Sequence, residues 1–218
     1  MAKKDTVVFV LGVKEIRMKL LRASTEHEMI LEFLKAESTS ERFSKKLEKA
    51  MVDHGFDEEI ITKADLQSEL QNTQRKKLLG TFRGYGEGRE LFERFPTRFT
   101  EWSLCSFSAS DLEKIRYIDY SYWNELSAGT RKPMAAAETI RRGVRIFEVS
   151  NEGFLRAAEY IKDGGTFPKP FFITADYETF VIVEGHQRMT AYALVPECFE
   201  EIEVVVGKCN EEELRLWM

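Results

Sequence analysis

Five consecutive residues, Glu184, Gly185, His186, Gln187 and Arg188, carry the most concentrated chemistry in this chain. Arginine presents a planar, permanently charged fork that matches phosphate or carboxylate. Histidine ionises near neutral pH and suits acid–base work, or it can start a helix with its ring hydrogen-bonded to the backbone. Glu184 is open to three partners: a ribose, a metal ion, or Arg188 itself, because a carboxylate beside a buried strand needs compensation. Together these residue types suit the gripping of a multiply charged anion.

The elements around them say how they are held. Residues 180–183 (Phe-Val-Ile-Val) form a short apolar, β-branched run, the pattern of a strand buried on both faces. Gly185 breaks the run. From His186 the apolar residues Met189, Tyr192 and Ala193 recur at helical spacing, and Pro196 stops the helix. A strand, a glycine and a helix start leave bare backbone N–H groups above the strand's tip, and with the helix dipole these make an anion site.

The rest of the second half alternates. A strand is expected at residues 115–118, followed by a polar loop that ends in Thr130, Arg131 and Lys132. Pro133 suits the first turn of a helix through Ile140, closed by Gly143. A short strand is expected at 144–149. Asn151 then caps a helix with Phe154, Leu155, Ala158 and Ile161 inward. Strands follow at 171–174 and 202–206, with a turn at 176–178 and a terminal helix after Asn210.

The first half reads as mainly helical. Capping boxes are expected at Thr25–Glu28, at 38–41 and at 62–65, each opening an amphipathic helix; the third should end at Gly80. The basic triplet Arg75, Lys76 and Lys77 reads as a solvated helix end. Gly84, Gly86 and Gly88 lack both the lysine and the preceding strand of a phosphate loop and read as a turn. Residues 91–107 read as an aromatic packing bridge. The expected organisation is a helical region at 1–110 and an α+β domain, a small mixed sheet with flanking helices, at 111–218.

Composition sets outer limits. The net charge of −5 argues against a broad nucleic-acid-binding surface. Residues 1–110 hold 19 Lys/Arg against 18 Asp/Glu and residues 111–218 hold 13 against 19, so a basic contact surface belongs to the first half. Cys105, Cys198 and Cys209 are an odd number with no metal-ligand spacing, as expected for buried thiols in a reducing compartment. The apolar run at residues 6–11 is too short for a signal peptide or a membrane span, so a cytoplasmic protein with no membrane partner is expected.

The element order of the second half, with Gly185-His186-Gln187-Arg188-Met189-Thr190-Ala191 opening a helix after a strand, resembles the ParB/sulfiredoxin superfamily. That resemblance covers residues 112–218. It implies a nucleoside di- or triphosphate (ATP, ADP or CTP) with Mg²⁺ held mainly by the nucleotide. Cofactor contacts are then expected from Glu184, Gly185, His186, Gln187, Arg188 and Thr190, with Arg131 and Arg156 as further candidates. Arg156 and Asn151 are also open to plain roles as a solvated charge and a helix cap. Where superfamily members transfer phosphate, an early-loop carboxylate is the base, which suggests Glu125 or Asp119 here, with His186 as a third catalytic candidate. No cysteine stands at the position of the sulfiredoxin nucleophile.

Two functions follow as expectations. One is nucleotide binding with phosphoryl transfer or hydrolysis; the other is a nucleotide-responsive regulatory or interaction module without turnover. Gln187, where the superfamily carries His or Arg, favours the second. A nuclease role is disfavoured by the acidic second half. In either case residues 1–110 would contact a small-molecule acceptor, a protein or DNA.

Overall fold

The computed structural model describes residues 18–218; the apolar run at 6–11 lies outside them. The fold is α+β. Six strands form one mixed sheet: β1 (Lys19–Ala23), β2 (Phe99–Phe107), β3 (Ile115–Arg116), β4 (Phe171–Thr174), β5 (Phe180–Glu184) and β6 (Ile202–Cys209). Their spatial order is β1-β2-β6-β4-β5-β3. The pairs β3/β5 and β4/β6 are parallel and the others antiparallel.

Helices cover both faces. The first half supplies α1 (Glu26–Ser38), α2 (Ser44–His54), α3 (Glu59–Thr62) and α4 (Glu69–Arg83). The second supplies α5 (Ser121–Leu126), α6 (Pro133–Arg141), α7 (Glu152–Lys162), α8 (His186–Leu194) and α9 (Glu211–Trp217). Period-two alternation sorts the strands' side chains between the two layers. Phe180, Ile182, Val204, Val206 and Phe172 face the core under α6, α7 and α8. Val181, Val183, Val205, Phe171 and Ile173 face the core under α1, α4 and α9. The run at 180–183 is apolar throughout because each face of β5 has its own helical layer to meet.

Several local expectations hold. Thr25 caps α1 by accepting from the Glu28 amide, Pro133 opens α6, and the Asn210 side chain caps α9. Others are corrected. Ser38 belongs to the end of α1 rather than to a cap, and α2 starts six residues later. Thr62 ends α3, while Ser68 caps α4, which runs past Gly80 to Arg83. Residues 144–149 form no strand, and β3 is only two residues long. Arg75, expected at a solvated end, is fully buried; it donates to the carbonyls of Ile60 and Asp65 and to the side chains of Gln71 and Asn72. The expected boundary near residue 110 falls within a single sheet, because β1 and β2 come from the first half and β3 to β6 from the second.

Candidate functional site

Gly185 sits between β5 and α8 with φ +106, in the left-handed region. A Cβ there would lie 2.9 Å from the Pro170 Cβ, so both backbone conformation and space require glycine. Having no side chain, Gly185 leaves the first amides of α8 without a side-chain cap.

The side chains of the motif turn in different directions. Arg188 points back along the helix, as long helical side chains do. Its Nη2 forms an ion pair with Glu184, and its Nη1 donates to the Pro168 carbonyl. The residue is only 7% exposed. Burial lowers its pKa to about 10, opposed by Glu37, Tyr192 and Glu32, so it stays charged at neutral pH. Arg188 is thus engaged inside the protein, and of the three partners open to Glu184 it is the internal one that the structure shows.

His186 stacks on Trp123 (centroids 5.0 Å, 17° between planes) and lies nearly parallel to Tyr117 at 5.9 Å. Its Nε2 is shielded from solvent and has no hydrogen-bond partner among the described residues. Burial pushes its pKa down to about 3, with repulsion from Arg83 adding to the shift. The imidazole is therefore neutral at physiological pH and cannot serve there as a proton donor in its charged form. Thr190 is also inside: it donates to the His186 carbonyl (2.7 Å) and bonds the Tyr117 hydroxyl (2.7 Å). It positions the ring stack and does not face a ligand. Gln187 ties α8 to α7 through its Nε2 and the Gly153 carbonyl (2.9 Å).

Above the strand tip lies a cleft of about 1210 Å³. It opens at the C-terminal ends of the parallel strands β3 and β5, between the two helical layers, a usual place for ligands in sheets with parallel strands. Glu184, Gly185, His186, Gln187, Arg188, Arg156 and Asp119 all line it. Glu125 and Arg131 do not; Glu125 is solvent-exposed on α5, and the Arg131 carbonyl instead accepts from the Tyr117 amide.

Three cations that sequence spacing did not single out as site residues also line the cleft: Arg42, Arg83 and Arg94. Arg83 pairs with Glu37 at 3.2 Å and lies 4.1 Å over the Phe43 ring. Burial pushes the Glu37 carboxyl up, against the pull of Arg83, Arg188 and Arg42. Arg42 and Arg94 are exposed, and neither has a carboxylate partner among the described residues. Arg94 (φ +60) and Glu90 (φ +56) are both left-handed non-glycine residues in the loop that closes this side, a costly conformation that clusters at ligand clamps. Among the described residues Arg156 makes long, exposed contacts with Glu41 (3.6 Å) and Glu152 (3.9 Å). Asp119 accepts from Asn124 (2.7 Å) and is solvent-exposed.

No three His, Cys, Asp or Glu side chains come together as a metal site among the described residues. No helix among them is long and apolar enough to cross a membrane. Among the described residues the chain is an α+β fold with a large cleft at the end of a mixed sheet. Comparison with family models, curated proteins and solved structures finds no match to this chain.

Proposed function

We propose that the cleft binds a nucleoside di- or triphosphate and that the protein is a nucleotide-responsive module akin to the ParB/sulfiredoxin superfamily. The observation that supports this most directly is the convergence of uncapped α8 amides with the guanidinium groups of Arg42 and Arg94, which have no carboxylate partner among the described residues, on one open cleft. The phosphates would lie on those amides. The two arginines of the helical first half would neutralise their charge, and the exposed Tyr120 ring offers a face for a base. Arg188 supports the turn from beneath through Glu184 and adds its positive charge from a buried position. Mg²⁺, if bound, would be held by the nucleotide. Three free cysteines suit a reducing, nucleotide-rich compartment such as the cytoplasm.

Binding without turnover is favoured because the His186 imidazole is neutral and Glu125 lies outside the cleft. Phosphoryl transfer to a small acceptor remains as a second reading on one specific observation: Asp119 lines the cleft and is exposed. A protein or DNA partner would then be met by the surface of the first half.

The test is a thermal-shift and calorimetric series with ATP, ADP, CTP and GTP, each with Mg²⁺. At a hundredfold excess over Kd, binding should add ~2.7 kcal/mol of stability. The double variant Arg42→Gln, Arg94→Gln should lose roughly 1.5–3 kcal/mol of binding for each charge-assisted contact removed. Failure of every nucleotide to bind, or full affinity in the double variant, overturns the assignment. Phosphate release that disappears in Asp119→Asn would decide for the second reading.

A further inference from the structure

A second hollow, of about 470 Å³, lies at the opposite end of α1 from the cleft. Glu26 in the first turn of α1 lines this one and Glu37 in the last turn lines the cleft, roughly 16 Å apart at 1.5 Å per residue. The wall of the second hollow is the glycine-rich turn, through Tyr85, Gly86 and Gly88, which the nucleotide reading leaves without a role.

Its lining is aromatic with a single carboxylate. Phe99 and Trp102 lie together at 4.5 Å, and Phe95 meets Phe99 at 5.5 Å. Gly207 on β6 makes this arrangement fit, since a Cβ there would come within 2.8 Å of the Phe99 ring and 3.0 Å of Trp102. The Glu26 carboxylate accepts from the Tyr85 hydroxyl (2.7 Å) and from the Lys76 ammonium (2.9 Å). That ammonium also stands 5.9 Å over the Tyr85 ring. The chain thus keeps one of its own cations where a carboxylate and a π face together favour positive charge.

We propose that this hollow is a binding site for a small methylated ammonium compound, whose head displaces Lys76 from Glu26 and rests on the aromatic walls. Lys76 is well suited to leave. Its side chain is half exposed, and such ion pairs contribute little while restricting a long, flexible side chain. A methylated ammonium is less strongly hydrated than lysine's and presents apolar methyl groups to the rings, while its charge answers Glu26. An anion would meet that carboxylate unfavourably, and a neutral apolar ligand would leave it unused.

The experiment titrates choline and its neutral isostere 3,3-dimethylbutan-1-ol into wild-type protein and Lys76→Gln, followed by isothermal titration calorimetry. Choline should bind, and the isostere should bind at least about tenfold more weakly, the scale of a desolvated cation–π contact. Lys76→Gln should tighten choline binding several-fold by removing the internal competitor, and Trp102→Leu in that background should reverse the gain. Equal binding of the two probes, an unchanged or weakened choline affinity in Lys76→Gln, or no choline binding by either protein overturns the proposal.

Discussion

Replacing Arg188 by methionine removes the charge beneath the strand tip while keeping much of the side chain's volume. The structure sets the cost. Arg188 is 7% exposed and is held by the Glu184 carboxylate and the Pro168 carbonyl. Removing one partner of a buried pair costs about 3–5 kcal/mol because the other charge is left uncompensated. The Glu184 side chain retains 18% exposure, so water relieves part of that penalty and the lower end, ~3 kcal/mol, is expected. For a chain of this size that corresponds to a fall in Tm of roughly 6–12 °C. Glu184→Gln should cost less, since Glu37 and Glu32 still act on the guanidinium. The double variant should be more stable than Arg188→Met alone, with a coupling of ~1–3 kcal/mol. Urea unfolding followed by tryptophan fluorescence gives all four values. Strictly additive costs, or a loss below ~1 kcal/mol in Arg188→Met accompanied by loss of nucleotide binding, would refute the internal role and return Arg188 to the ligand.

Other outcomes follow from the same geometry. His186 titrates near pH 3 when folded and near 6.5 when unfolded, so between those values the unfolded chain holds more protons. Its stabilising contribution is full above pH 6.5 and is lost as pH falls toward 3, by up to ~1.4 kcal/mol per pH unit; unfolding midpoints of wild type and His186→Phe at several pH values should diverge in slope, and identical slopes would contradict the buried neutral ring. Gly185→Ala should destabilise by about 1–3 kcal/mol, since it combines a left-handed backbone with a clash at Pro170; a neutral effect in denaturant melts would show that the turn can relax. Arg75→Met should cost at least ~3 kcal/mol by stranding the Ile60 and Asp65 carbonyls in the core under α4; a loss under ~1 kcal/mol would show that water reaches those groups.

The second half was largely legible because its signals are local. The turn from period two to period 3.6 at Gly185, the proline at the start of α6 and the cap at Asn210 all act within a few residues, and β4, α7 and α8 formed where they were expected. The first half resisted for an equally physical reason. β1 is exposed along its whole length at the sheet's edge, so no alternation marks it. β2 pairs with β6 from across the chain, and nothing within the aromatic stretch announces that partner. The helix starts at 38 and 62 were misplaced because Ser and Thr satisfy backbone groups in turns as readily as at caps.

By itself the sequence determined that residues 180–183 must be covered on both faces, and hence that a second layer must exist. Only the tertiary structure decided that the first-half helices are that layer. It also decided what each polar group in the motif does, since charge pairing depends on separations that chain spacing does not encode. Glu184 could be foreseen as a neighbour of Arg188, but the Pro168 carbonyl that completes its pairing could not. Nor could the desolvation and the Arg83 charge that keep His186 neutral, or the approach of Arg42 and Arg94 from far along the chain. Local hydrophobic periodicity specifies which side of an element is buried; the packing of whole layers specifies which charges are left free to meet a ligand.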